Sequence, residues 1–197
     1  MVTIAHLFVG ISCVPSIAII ASNPMTAFSL RPFRVDDLTS LVQHASHPSV
    51  AAHLTDAFPN PFTMEAGRSF LEQATAAEPA NRMCIAINGE ACGAIGLHAQ
   101  QDLWRRNMEV GYWLAKEHRG KGIMGEAIMQ MTAYAFDTFP IVDRVFARPF
   151  GSNIASQRVL EKAGFILEAK LIGTLIKNGV VQDEWIYGLR REQQPSA

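Results

Sequence analysis

The sequence predicts an α+β domain built on one mainly antiparallel, mixed sheet with helices on its faces. Three observations carry this. Segments of strand character follow one another directly in the middle of the chain, so they pair as neighbours rather than through crossover helices. Two Asn-Gly pairs, Asn88-Gly89 and Asn178-Gly179, each separate apolar runs, the pattern of a tight hairpin. Helical stretches lie before, between and after these runs without the regular alternation of a βαβ succession.

Taken in order, Ala27 to Phe33 reads as a first strand, and Asp36 or Asp37 as the N-cap of a helix from Asp37 to Ala45. His47-Pro48 breaks it, and a short helix through His53 follows. Two prolines keep Ala57 to Phe62 irregular, and Thr63 then caps a helix from Met64 to Ala77. Strands are expected at Arg82 to Ile87, Ala91 to Ala99 and Met108 to Leu114. After the turn His118 to Gly122 come a helix from Ile123 to Phe136 and a strand from Arg144 to Pro149. A helix opened by Asn153 ends at Gly164, a natural left-handed terminator. Strands Phe165 to Ile176 and Val180 to Leu189 close the fold, and the polar tail from Arg190 is expected to fray.

With 197 residues, 49% of them hydrophobic and 18% charged, the chain suits one compact domain with a substantial core. A net charge of −1 offers no bulk attraction to nucleic acid, and no such partner is expected. Cys13, Cys84 and Cys92 are odd in number and have no metal-ligand spacing, so buried free thiols in a reducing cytoplasm are expected, and no metal. Met1 to Ser22 is apolar and long enough to cross a bilayer. It has no Lys or Arg to serve a signal peptide or flank a span, and Pro15 interrupts it. Met25 directly precedes the first domain segment. Residues 1–24 are therefore read as an extension outside the fold, 25–190 as the domain and 191–197 as tail, with a membrane anchor the lesser alternative.

Gly120-Lys121-Gly122-Ile123-Met124-Gly125 matches the G-x-G-x-x-G pattern after a strand and before a helix. A dinucleotide site also needs an acidic residue ending the next strand, but Asp143 precedes that strand. A triphosphate loop needs Lys and Ser or Thr after the last glycine, and Glu126-Ala127 stand there. What remains is an anion-binding helix start, where glycines allow close backbone approach and the first N–H groups meet the ligand. Arg119 and Lys121 add positive charge at its rim, and a simple turn into the helix is the competing reading.

The surrounding residues resemble a known family. Glu109-Val110-Gly111-Tyr112-Trp113-Leu114, then His118 to Ala127, look like the cofactor motif of the GNAT N-acetyltransferases. Asn153 to Phe165 and Pro59 to Thr63 resemble later and earlier blocks of the branch that includes the ribosomal-protein alanine and serine N-acetyltransferases. The likeness runs from about Phe28 to Arg190, with one departure: Met124 stands where that loop usually has Gly or Ala. It implies a GNAT fold with a splayed central strand pair, Met108 to Leu114 and Arg144 to Pro149, and acetyl-CoA between them. Arg119, Gly120, Lys121, Gly122, Met124 and Gly125 would hold the pyrophosphate, and backbone N–H groups among Tyr112, Trp113 and Leu114 the thioester oxygen.

The implied reaction is direct attack of a primary amine on the thioester. Such an amine, with a pKa of about 10, must first lose a proton. Glu109 is the candidate base, or a solvated strand-end carboxylate; His98 is a second candidate, or structural. Ser156 is the family's candidate acid to the thiolate and Asn153 a cofactor contact, although both also suit an ordinary helix start. Arg158 would reach a cofactor phosphate or stay solvated. Trp104, Trp113 and Trp185 are expected mainly in the core, with Phe58 to Phe62 shaping the acceptor site. The implied protein is a cytoplasmic enzyme, monomer or homodimer, acting on a protein N-terminal or small-molecule amine; the alternative is a non-catalytic acyl-CoA sensor.

Overall fold

The computed structural model describes residues 28–193; the expected extension over 1–24 lies outside the described residues. The strands are β1 (Ser29–Pro32), β2 (Arg82–Ile87), β3 (Glu90–Ala99), β4 (Asn107–Leu114), β5 (Arg144–Ala147), β6 (Ile166–Lys177) and β7 (Val180–Arg190). The α-helices are α1 (Leu38–Ala45), α2 (Pro48–Ala51), α3 (Met64–Ala76), α4 (Ile123–Thr138) and α5 (Ile154–Lys162). One sheet runs β1-β2-β3-β4-β5-β7-β6, and only β4 and β5 pair in parallel among the described residues. This is the mixed, mainly antiparallel sheet that the element order predicts.

Local chemistry sets most boundaries. Thr63 Oγ1 accepts the Ala66 N–H at 3.2 Å and starts α3. Asn88 and Gly89 have φ of 52° and 87°, the left-handed pair that a two-residue hairpin turn needs. Strand β5 stops at Ala147 rather than Pro149, because proline has no N–H with which to continue a ladder. The helix expected through His53 ends at Ala51.

Asp37 stands at the N-cap of α1, as expected, but its side chain makes no capping bond to that helix. It ends a 3₁₀ turn (Val35–Asp37), and α1 starts at Leu38. Its carboxylate turns back to the Arg31 guanidinium at 2.7 and 2.8 Å and to the Arg34 N–H at 2.7 Å. Burial alone would raise its pKa, but these partners together hold it below the ordinary carboxylate value.

Helices cover both faces. On one, Ile123, Ile128 and Met131 of α4 and Leu160 of α5 pack on Ile95, Leu97, Val110 and Val145. On the other, Leu41 of α1 and Leu71 and Ala74 of α3 pack on Cys84, Ala94 and Trp113. Val110 and Trp113 thus serve opposite faces, as strand alternation requires. The tail does not fray at its start: Arg191 donates to the carbonyls of Phe136 (2.6 Å), Phe139 (3.2 Å) and Val142 (2.5 Å). A cation there complements the C-terminal end of α4.

Candidate active site

The centre of the sheet is split. Parallel pairing of β4 with β5 covers only Asn107–Arg144, Met108–Val145 and Glu109–Phe146. Beyond Glu109, β4 keeps its β3 partner through Leu114, while β5 keeps to β7 and then turns into Pro149 and Phe150. Among the described residues no strand lies beside the facing edge of Val110 to Leu114, and its backbone groups need another partner when buried.

At the far end of β4 lies the glycine turn. A 3₁₀ turn (Lys116–His118) leads to Gly120 and Gly122, with φ of 76° and 82°. A Cβ at either would be strained, and apart from chain neighbours and the helix's own backbone no heavy atom of the described residues lies within 4 Å of where a Cβ on Gly120, Gly122 or Gly125 would stand. The cradle is open where a ligand would approach. Glu126 N–H closes the first helical bond onto Gly122 O at 3.2 Å, so the N–H groups of Ile123, Met124 and Gly125 are the opening donors of α4. Met124 packs its side chain on the core, which leaves its backbone for that role. Lys121 is exposed at the rim. Arg119 braces the loop instead: its Nε donates to Leu114 O at 2.9 Å and its Nη2 to Ser49 O at 3.5 Å. Desolvation lowers its pKa from the ordinary arginine value.

Across the split, Asn153 caps α5, accepting the Ser156 N–H at 3.2 Å. Ser156 in turn bonds Tyr112 of β4, Oγ to Oη at 2.7 Å. Burial raises the Tyr112 pKa to about 12 against the lowering effect of Ser156, so the phenol keeps its proton at neutral pH. Arg158 is exposed on α5. Gln157, not singled out by the sequence, is buried and donates to Phe150 O (3.3 Å) and Gly151 O (2.9 Å), fixing the turn after β5.

The other end of the split is acidic. Glu109 approaches Arg148 at 3.4 Å, and Glu184 of β7 approaches the same Nε at 3.7 Å. Neither Arg148 nor Glu184 was legible as a site residue, because only the β5–β7 register brings them to Glu109. His98 is the cross-strand partner of Glu109. Desolvation, then the Arg82 charge, lower its pKa against the pull of Glu109, so its imidazole is neutral at pH 7.

The Phe58 to Phe62 loop packs by this region: Phe58 stacks on Phe62 at 5.0 Å and meets Trp113 edge-on at 6.4 Å. His53 lies against Phe150 at 6.1 Å, and Asp56 holds Lys177 of the β6–β7 hairpin at 2.6 Å. Trp113 is core, and its backbone pairs with Ala94 of β3. Trp185 lies under Lys170 at 4.1 Å, and Trp104 is exposed. Asp143 forms an ion pair with Arg106 at 2.5 Å ahead of β5, away from where a nucleotide ribose would need it.

A sheet split beside a glycine-lined helix start defines the class: the chain belongs to the acetyltransferase (GNAT) domain family, whose family model matches residues 28–166. Among particular relatives it is similar to YdaF of Bacillus subtilis (strain 168), a protein assigned provisionally by its name to ribosomal N-acetylation. The two are 37% identical over 109 residues, covering 55% of this chain and 58% of YdaF, so the match spans little over half of that relative. The fold is also that of the ribosomal-protein-S5-alanine acetyltransferase from Vibrio fischeri (TM-score 0.72, 21% identity, 86% of this chain and 96% of that one). Mycobacterium smegmatis RimJ, solved in complex with CoA-disulfide, is alike at TM-score 0.70 and 24% identity, covering 86% of this chain and 85% of that one.

Proposed function

We propose that this chain is an acetyl-CoA-dependent N-acetyltransferase whose acceptor is a primary amine, a protein N-terminal α-amine before a small-molecule one. The observation that carries this is the ending of the β4–β5 pairing at Glu109–Phe146, beside a cradle of glycines at the start of α4. Acetyl-CoA supplies a thioester whose carbonyl carbon forms the new C–N bond as the C–S bond breaks.

The chain's residues divide the remaining tasks. The N–H groups of Gly120 to Gly125 take the pyrophosphate, with Lys121 adding charge at the rim. On the open edge of β4, the backbone groups of Tyr112 and the N–H of Leu114 serve the pantetheine amides and the developing oxyanion, while Leu114 O is held by Arg119. Glu109, with neutral His98 beside it, accepts the amine's proton directly or through water. Ser156, oriented by its hydrogen bond to the protonated Tyr112 phenol, gives its proton to the departing sulfur and regains one from solvent. Asn153 holds that helix start, and Arg158 is left to meet an outer phosphate. The carboxylates of Glu109 and Glu184 favour a cationic acceptor at the mouth.

The proposal includes residues 25–190 as the catalytic domain, a cytoplasmic location and a monomer or homodimer. No helix of the described residues is long and apolar enough to cross a membrane. The test is thiol release from acetyl-CoA with a panel of N-terminal peptides and small amines. Peptide turnover that falls about 10²-fold or more in Glu109→Gln supports both acceptor and base. Cofactor binding without transfer to any amine would reject catalysis in favour of an acyl-CoA sensor.

A further inference from the structure

A second cluster of reactive side chains lies where α1, the start of β3 and the turn before the glycine loop meet. His44 of α1 is buried, with Nδ1 2.9 Å from Glu117 Oε1. Its other ring nitrogen, Nε2, faces Cys92 Sγ at 3.7 Å and Glu90 Oε2 at 3.9 Å. We propose that His44 Nε2, Cys92 Sγ and the Glu90 carboxylate bind a divalent transition metal of the zinc class, with Glu117 as the positioning residue for the histidine.

The geometry suits that ion. With metal bonds of about 2.3 Å to sulfur and 2.0–2.1 Å to nitrogen, tetrahedral ligand atoms stand roughly 3.6 Å apart. The Nε2 to Sγ distance of 3.7 Å matches this, the Glu90 oxygen at 3.9 Å would close in by about half an ångström, and all three ligand atoms are within 4.8 Å of one another. Imidazole, thiolate and carboxylate together suit zinc better than magnesium or calcium. A carboxylate on Nδ1 fixes the tautomer that leaves the Nε2 lone pair free, the usual second partner of a metal-bound histidine. The strand is irregular there too: register slips between Ile85–Gly93 and Ala86–Ala91, which leaves Cys92 as an extra residue with no partner on β2, while its carbonyl accepts the Ala115 N–H at 2.8 Å. Three protein ligands leave a fourth position for water. His44 and Cys92 are 48 positions apart, so spacing along the chain carried no sign of the site.

Binding would displace the Cys92 thiol proton to solvent, with no change of oxidation state. The metal would also brace the cofactor loop, because Glu117 belongs to the turn that leads into Arg119.

The test titrates the full chain with Co²⁺ and follows thiolate-to-cobalt charge-transfer absorption. The expected result is one ion per chain with that band. Cys92→Ser should abolish the band, Glu90→Gln should weaken binding at least tenfold, and Glu117→Gln should weaken it about 10–100-fold while keeping the band. Absence of the band in the wild type at millimolar Co²⁺, or its persistence in Cys92→Ser, overturns the site. If Cys92→Ser does not fold, exposed Glu90 decides the matter: unchanged affinity in Glu90→Gln overturns it equally.

Discussion

The Tyr112–Ser156 hydrogen bond joins residues 44 positions apart, and it changes how each reads alone. Ser156 by itself is an ordinary helix-start residue, and Tyr112 an ordinary strand aromatic. Bonded, they set a buried, protonated phenol against a hydroxyl at the edge of the split and fix that hydroxyl's orientation. In Tyr112→Phe and Ser156→Ala, kcat with a peptide acceptor should fall about 10²-fold while the KM for acetyl-CoA stays within a few-fold. Steady-state kinetics check this, and a rise in KM with unchanged kcat would reduce the pair to a structural contact. Asp37 yields a pH prediction. Its folded-state pKa is lowered, so its stabilising effect is present above the unfolded value of about 3.9 and lost as pH falls through the folded value. Thermal melts of wild type and Asp37→Asn should differ at pH 6 and converge towards pH 3. The sequence shows that Asp37 suits a cap but not that Arg31 would claim it, because that pairing depends on β1 lying beside the helix start.

Among the elements, the glycine turn and α4 belong together. Gly122 is the left-handed N-cap of α4, and its φ of 82° is costly for any residue with a Cβ. Gly122→Ala should lose about 1–2 kcal/mol of stability and weaken acetyl-CoA binding about tenfold, measured by melting and by calorimetry. The opposite end of α4 rests on Arg191, so Arg191→Ala should lower stability by about 2 kcal/mol in denaturant titrations. Elements that depend on neighbours in sequence were legible from sequence: both Asn-Gly hairpins, the Thr63 and Asn153 caps, and the glycine turn. Elements whose limits depend on distant partners were not. The early end of β5, Arg119's hold on Leu114 and Ser49, and the docking of Arg191 all follow from contacts that no local pattern records.

For the molecule as a whole, cohesion across the split includes the core on one face, which holds Leu160 of α5 together with Val145 of β5 and Val110 of β4. Leu160 is fully buried, and Leu160→Ala should cost about 2–5 kcal/mol, read as a fall in the single melting transition. The chain without residues 1–24 should keep that transition and its cofactor affinity; recovery in membranes of the longer form alone would show the extension to be an anchor. The order β4-β5-β7-β6 was the least legible feature at this scale, since a four-residue strand must take its place between two longer ones.

Among the described residues the ladder between the sheet's two halves has three residue pairs, so in the proposed complex the pantetheine arm would act as a substitute strand as well as a substrate. On that reading the molecule would be a mortise that its own reactant keys shut. Amide exchange at Val110 to Leu114 should slow when cofactor enters, and resistance to heat should climb with its concentration. Each turnover that releases coenzyme A would loosen the joint for the next.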